Sequence, residues 1–328
     1  MQSITPELRF GDSAYTQLSE NIAWRCLAQL DVAAQNIKTG HACEAIPAVF
    51  QSLLEARNRM APDDWAEFAS GIRSHELWDV FCQDPLTRRA FEKPRGYAGD
   101  AVMMDFVYGI HHHHAVWAES SGIGRDILSY ILQGDAGGAV RWRREHIARA
   151  IDVVAGNGPA RVLSIAAGHL REAELSRALR GGLLGRFVAM DADADSLREI
   201  DAQYGRFGVE TVHASVRHLL ARKCHLAGFD FVYAAGLFDY LGDQTACALT
   251  ARMFEMAAPG GRVMVPNFAP AVAARGYMEA FMDWNLIYRD AHDMAKLVGG
   301  IDPALIADFE IYHDPTGAVV YLVIEKTR

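Results

Sequence analysis

Hydrophobic positions recur with two different periods along the chain, and the change falls near residue 155. Before it, apolar residues keep helical spacing. In "YTQLSENIAWRCLAQLDVAA", Leu18, Ile22, Leu27 and Leu30 fall near one face of a helix. "PAVFQSLLEARNRM" and "PDDWAEFASGIRSH" repeat the pattern. The second opens with Pro62, Asp63 and Asp64, which suit a first helical turn. "GGAVRWRREHIARAIDVVAG" is a further helix, with Gly156 as its stop. From residue 161, short apolar runs alternate with helical patterns. The runs lie at 161–166, 186–190, 208–213, 229–234 and 261–266, and the helices around 170–180, 194–203, 215–223 and 244–257. That rhythm predicts a parallel sheet with helices on both faces. "FEIYHDPTGAVVYLVIEK" closes the chain as two strands about a Pro-Thr-Gly turn, so the last pair is expected to be antiparallel. The expected architecture is α/β: an all-helical region over 1–155, then a Rossmann-like, mostly parallel sheet with an antiparallel C-terminal hairpin over 156–328.

Composition narrows the function. The 328 residues are 51% hydrophobic and 22% charged, enough to build sizeable cores. The net charge of -9 argues against nucleic acid as a partner, because that binding draws on phosphate neutralisation. No apolar run approaches the roughly 18 residues of a membrane span. The beginning, "MQSITPELRFGDSAY", lacks the basic and apolar regions of a secretory signal. Five widely spaced cysteines without a CxxC pair are expected as reduced thiols in the cytoplasm. The run His111 to His114 cannot converge on one ion if helical, so no metal site is expected.

Chemistry is sought where open α/β sheets bind ligands, beyond the carboxyl ends of the strands. "RVLSIAAGHLREAEL" is a strand, a turn and a helical pattern, but the turn holds one glycine, Gly168, where a dinucleotide fingerprint needs three. Asp191 ends the second strand, 23 residues after Gly168, and a carboxylate there can accept both ribose hydroxyls. Ser215 and Val216 follow the third strand and can border an adenine. The chain also lacks a Walker lysine. A turn, a ribose acid and an adenine wall without glycines for a pyrophosphate point to an adenosine ligand free of phosphates. S-adenosylmethionine fits.

Residues 161–326 resemble the class I S-adenosylmethionine-dependent methyltransferases. "VLSIAAGHLRE", "VAMDADADSL", "HASVRHLL", "FDFVYAAGLFDYL" and "MAAPGGRVMV" resemble their successive motifs. The resemblance implies seven strands with the last reversed, and cofactor contacts at Ala166, Gly168, Asp191, Ala192, Ser215, Val216 and Ala235. Ser164 stands where that family commonly has an acid, and Ala166 where it has a glycine. "KPRGYAGD" (Lys93 to Asp100), "VRWRR" (Val140 to Arg144) and "DWNLIYR" (Asp283 to Arg289) further resemble a bacterial subgroup, fatty-acid methyl ester biosynthesis-like proteins related to cyclases that form azetidine-2-carboxylate.

Within "EKPRGYAGD", one reading is a capped loop between helices, with Asp100 as the N-cap of the next. The other is a lid over the cofactor: Tyr97 would offer its ring to the sulfonium, and Arg95 or Asp100 would address the methionine amine or carboxylate. His169 and Asp239 are candidate bases beside Tyr97 in the catalytic set, Asp239 alternatively an anchor for a substrate amine, and Glu172 is either a base or a favourable charge at a helix start. Tyr240, Trp284 and Tyr288 are candidate substrate contacts, the last two on one face if their segment is helical, where they serve either as core packing or as an aromatic pocket wall. Three functions remain open: methyl transfer to oxygen or nitrogen of a small metabolite or acyl acceptor, ring closure of the cofactor's own methionine with loss of methylthioadenosine, or binding without turnover.

Overall fold

The computed structural model describes residues 14–110 and 120–328, and the side chains from residue 18. The histidine run at 111–114 therefore lies outside the described residues. Among those described, no helix is long and apolar enough to cross a membrane.

Among the described residues eight helices precede the sheet: α1 (Ala14–Lys38), α2 (Ala42–Arg59), α3 (Pro62–Ile72), α4 (Glu76–Phe81), α5 (Pro85–Glu92), α6 (Ala101–Tyr108), α7 (Gly122–Gln133) and α8 (Asp135–Ala155). Their starts follow local chemistry. Pro62 opens α3, and Asp84 caps α5 by accepting from the amides of Leu86 and Thr87. The buried stripe of α1 runs through Ile22, Cys26, Leu30 and Ala33. Leu18 was expected on that stripe but is exposed, because Ser19 takes the inward position and donates to Asp64.

The chain divides into two compact units. One comprises residues 1–137 with 273–285, the other 138–272 with 286–328. The boundary thus differs from the expected 155, because most of α8 belongs with the sheet, and a later excursion, α13 (Arg275–Phe281), belongs with the helices. In the helical unit Tyr277 of α13 stacks on Phe50 and Phe281, and its hydroxyl lies 2.6 Å from Thr87 Oγ1.

The second unit is a Rossmann-like sheet of seven strands in the order β3-β2-β1-β4-β5-β7-β6. They are β1 (Ala160–Ile165), β2 (Leu184–Asp191), β3 (Val209–His213), β4 (Phe229–Tyr233), β5 (Ala257–Phe268), β6 (Ile306–His313) and β7 (Val319–Lys326). The first five pair in parallel, and β7 runs antiparallel between β5 and β6, as the hairpin pattern predicts. Between the strands lie α9 (Arg177–Arg180), α10 (Ala194–Tyr204), α11 (Val216–Leu220), α12 (Asp243–Met256) and, before β6, α14 (Ala291–Lys296). One face packs Leu163, Ile165, Val188, Val232 and Val263 against Leu249 and Met253 of α12 and Met294 of α14. Each such fully buried side chain contributes about 1.5–3 kcal/mol. The opposite face carries Val162, Ser164, Phe231 and Tyr233 in register, with Trp142 and His146 of α8 packed edge-on to Tyr321.

Two helical expectations change. Residues 170–180 form a short 3-10 turn (Arg171–Glu174) and then the single-turn α9. Leu170 is left-handed, and side chains of α8 occupy the backbone groups that a continuous helix would need. Arg144 Nε donates to the carbonyl of Arg171, and Asp152 accepts from the amides of Arg177 and Ala178. Residues 283–290 are not helical either, so Trp284 and Tyr288 share no helix face. Asp283 takes a left-handed φ of 47° straight after α13, which ends the helix there.

Candidate functional site

The carboxyl edge of the sheet gathers the ends of β1, β2, β4 and β5. The loop after β1 sets its shape. Ala166, Gly168 and Leu170 all take left-handed φ angles, 52°, 55° and 53°. Gly168 does so without penalty, but the other two carry a Cβ, and each costs roughly 1–2 kcal/mol. Ala166 therefore holds a conformation that favours glycine. The strain is held because Ala167 N donates to the Met190 carbonyl (3.1 Å) and Leu170 N to the Ala167 carbonyl (2.9 Å). Strained, over-determined backbone of this kind concentrates at ligand sites.

Asp191 ends β2 beside this loop. Its Oδ2 accepts from Gly168 N and its Oδ1 from Asp193 N, both at 2.8 Å. Burial pushes its pKa up, and the amides of Asp193 and Gly168 oppose that by bonding the charged form. Ala192 follows, and its carbonyl lies 3.0 Å from His213 Nε2. Ser215 caps α11: its hydroxyl and amide both approach His218 Nδ1, at 3.1 and 3.2 Å, and Val216 starts the helix with its side chain partly in the core.

The ends of β1 and β4 meet over Ser164, whose neighbours in register are Ala189 and Tyr233. Ser164 is fully buried, and its Oγ has no hydrogen-bond partner. The Tyr233 hydroxyl instead donates to Glu172 Oε1 at 2.6 Å. Glu172 is buried, not an exposed charge at a helix start. Burial raises its pKa, opposed by the Tyr233 bond and by the charges of Arg144 and Arg143. His169 is buried in the same loop.

Arg143 was not foreseen as a site residue. Val140, Ile147 and Ile151 of α8 are buried at helical spacing, and Arg143 sits on that stripe with 4% of its surface exposed. A cation on an apolar helix face is the signal that marks it in sequence. Its guanidinium lies against Gly236 in the loop after β4, where a Cβ would stand 3.5 Å from Nη2.

That loop runs Ala235, Gly236, Leu237 and then Phe238–Tyr240. Asp239 is buried, and its Oδ1 accepts from Phe268 N at 2.7 Å. Burial pushes its pKa up to about 6, against the Phe268 amide and the charges of Arg143 and Arg289. Arg289 staples the loop to β5. It donates to the carbonyls of Phe238 (2.9 Å) and Leu241 (2.6 Å), to Asn267 Oδ1 (2.9 Å) and to Asp243 Oδ1 (2.8 Å). Tyr240 beyond it is exposed, and Tyr288 half-buried.

The remaining candidates lie in the helical unit. "KPRGYAGD" forms the loop between α5 and α6, with left-handed turns at Lys93 and Gly96. Lys93 pairs with Asp283, which also accepts from Arg73 Nη2 at 2.8 Å. Asp100 caps α6 by accepting from Met103 N (2.8 Å), and it takes both Nε (3.0 Å) and Nη2 (2.6 Å) of Arg89. Its carboxylate is thus committed to a helix start and a fork of guanidinium bonds. Tyr97 is partly exposed, Arg95 half-buried, and Trp284 donates its amide to the Met278 carbonyl at 2.9 Å.

Neither a protein-family model nor a curated protein sequence matches the chain. Solved structures do. A possible exported protein from Bordetella parapertussis superposes with a TM-score of 0.58 at 14% identity, covering 82% of this chain and 100% of that one. The N-methyltransferase NodS from Bradyrhizobium japonicum, in complex with S-adenosyl-L-homocysteine, scores 0.42 at 12% identity over 57% of this chain and 88% of its own. The 1,6-didemethyltoxoflavin-N1-methyltransferase from Burkholderia thailandensis scores 0.40 at 19% identity over 72% and 91%. The first likeness is one of fold, and the two lower scores add nothing to it.

Proposed function

We propose that the chain is an S-adenosylmethionine-dependent transferase that moves a methyl group to an oxygen or nitrogen of a small metabolite or acyl acceptor. The pose of Asp191 is the observation that carries this reading. Two backbone amides fix its carboxylate at the end of β2, and each oxygen keeps a lone pair for one hydroxyl of a ribose diol. The single-glycine loop beside it suits an adenosine without a pyrophosphate, and the sequence motifs around it support the same ligand. When bound, the cofactor supplies an electrophilic methyl group on a sulfonium. The chain's part is then to align the acceptor, exclude water and receive a proton. We assign the proton to Asp239 or His169, the acceptor side to Tyr240, Tyr288 and Trp284, and further cofactor contacts to Arg95 and Tyr97 on their sequence context; Asp100, committed to Met103 N and Arg89, drops out of that set.

The test is product analysis of the purified chain with S-adenosylmethionine, with and without candidate acceptors. S-adenosylhomocysteine formed only with an acceptor supports methyl transfer. Methylthioadenosine formed without one overturns it in favour of ring closure, and binding with neither product overturns turnover. Asp191→Ala is expected to weaken S-adenosylhomocysteine and methylthioadenosine alike, by roughly ten- to hundredfold for the lost charged hydrogen bonds. Unchanged affinity on calorimetric titration would remove Asp191 from the ribose site.

A further inference from the structure

Helices α1 and α2 bury Leu30, Ala33, Ala45 and Val49 near their connecting turn. Farther from the turn, residues 22–29 and 48–59 line a groove of about 460 Å³. It stays open because its walls carry short side chains, Ala28, Ala48, Ser52 and Ala56, where longer ones would fill it. Its volume falls within the range of small-molecule sites. Cys26 lies buried in the same groove, its thiol donating to the Ser52 carbonyl at 3.6 Å. Burial and the charge of Glu55 push that thiol's pKa up to about 12, so it adds no negative charge.

The charges of the groove are arranged against the bias of the chain, whose net charge is -9. Two arginines, Arg25 and Arg59, line it with a single acid, Glu55. Glu55 and Arg59 stand four apart on α2 in the order that favours an ion pair. Glu55 Oε1 accepts instead from Gln51 Nε2 at 2.7 Å. Arg57, between them, donates to Glu279. Arg25 and Arg59 therefore make no hydrogen bond or ion pair among the described residues, although acids are abundant. A cation from each helix is thus left to the same cavity.

We infer that the groove between α1 and α2 binds a small phosphorylated molecule, with Arg25 and Arg59 taking the phosphoryl oxygens and the Ala48 and Ala56 walls the uncharged remainder. A guanidinium offers parallel N–H groups that match a phosphoryl group, and two of them match its double charge. The Gln29 amide on the same wall can meet hydroxyls of the remainder. Glu55 opposes the anion and sets a limit on its affinity. The site shares no residue with the ribose site and does not rest on the cofactor reading.

Ribose 5-phosphate is the probe, titrated into the full chain by calorimetry. Binding should saturate with Kd at or below about 1 mM. Arg25→Gln and Arg59→Gln should each weaken it roughly tenfold or more, the loss of a charge-assisted bond. Both side chains are exposed, so the variants should melt with the wild type. Should either melt lower, Arg25→Lys and Arg59→Lys keep the charge without the fork and must still weaken the probe. Glu55→Gln should tighten binding about threefold or more. Lys223→Gln, an exposed cation of the sheet unit, should leave it within about twofold. No saturation by about 10 mM, weaker binding in Glu55→Gln, or an equal loss in Lys223→Gln overturns the site. Displacement of the probe by an equal concentration of acetate overturns its phosphoryl assignment. S-adenosylhomocysteine titrated in parallel keeps the two readings apart, since its failure to bind would sink the cofactor reading and leave this groove untouched.

Discussion

The helical unit and the carboxyl edge of the sheet both bury charge, but they treat it differently. In the helical unit the buried acids Glu279, Asp100 and Asp84 close on donors from the same unit. Glu279 accepts from Arg57 Nε (2.5 Å), Trp65 Nε1 (2.6 Å) and Arg275 Nε (2.9 Å). Asp100 closes on Arg89 and a helix start, and Asp84 on Leu86 and Thr87. At the sheet edge the same kinds of groups stay open. Glu172 accepts from the Tyr233 hydroxyl, Ser164 Oγ has no partner, and the loop beside them holds left-handed Ala166 and Leu170. Closed networks stabilise a fold, whereas open ones at strained backbone sacrifice stability for a ligand.

The contrast breaks most visibly at Glu279. Removing it leaves Arg57 and Arg275 largely buried without their shared partner, which costs about 3–5 kcal/mol. Glu279→Ala should therefore lower the denaturant midpoint of the helical unit strongly while S-adenosylhomocysteine binding by the folded protein persists. A loss below about 1 kcal/mol would mean that the network is no more than a surface ion pair. Ser164→Ala should act with the opposite sign. It deletes a buried hydroxyl that nothing satisfies, so the ligand-free sheet unit should gain on the order of 1 kcal/mol. Affinity for S-adenosylhomocysteine should fall in the same variant. Destabilisation without a change in affinity would make Ser164 a satisfied core residue and erase the contrast.

Sequence reading went furthest where one period controls one element. The five parallel strands, the terminal hairpin and the Asp100 cap all stand within a residue or a few of their patterns, because alternation and capping are local. It failed where a distant side chain decides. Nothing local at 170–180 shows that Arg144 and Asp152 of α8 will take its backbone groups, and nothing at 283–290 shows that Asp283 will turn the chain toward Arg73 and Lys93. Of the candidate site, the placement of Asp191 at the end of a strand was legible. The burial of Arg143 was not, since it lies before the first strand and meets the β4 loop at Gly236 only once α8 packs on the sheet. The arginine on an apolar helix stripe, within the "VRWRR" segment, was the available sign.

Proton linkage gives the finest test of closed against open burial. Asp84 is fully buried, and burial pushes its pKa up to about 6 from 3.8, opposed by the Thr87 hydroxyl and by the amides of Thr87 and Leu86. Between about pH 4 and 6 the folded chain thus holds more protons at this carboxyl than the unfolded chain. Stability from this group is fully present below the unfolded value and is lost as pH rises through the folded one. The slope is at most about 1.4 kcal/mol per pH unit. Asp84→Asn removes the proton, so the stability difference between wild type and variant should fall with rising pH over that window and level off above it. Because Asp84 closes on its own helix, the difference should not move when S-adenosylhomocysteine is added. Asp239, raised to the same value at the sheet edge, should respond to the ligand, since it lies in the loop after β4 to which the proposed function assigns the proton. Denaturant titrations from pH 4 to 7, with and without ligand, decide it. A flat difference would show Asp84 ionised throughout, and a ligand-sensitive one would show that the helical unit's burial is as open as the sheet's.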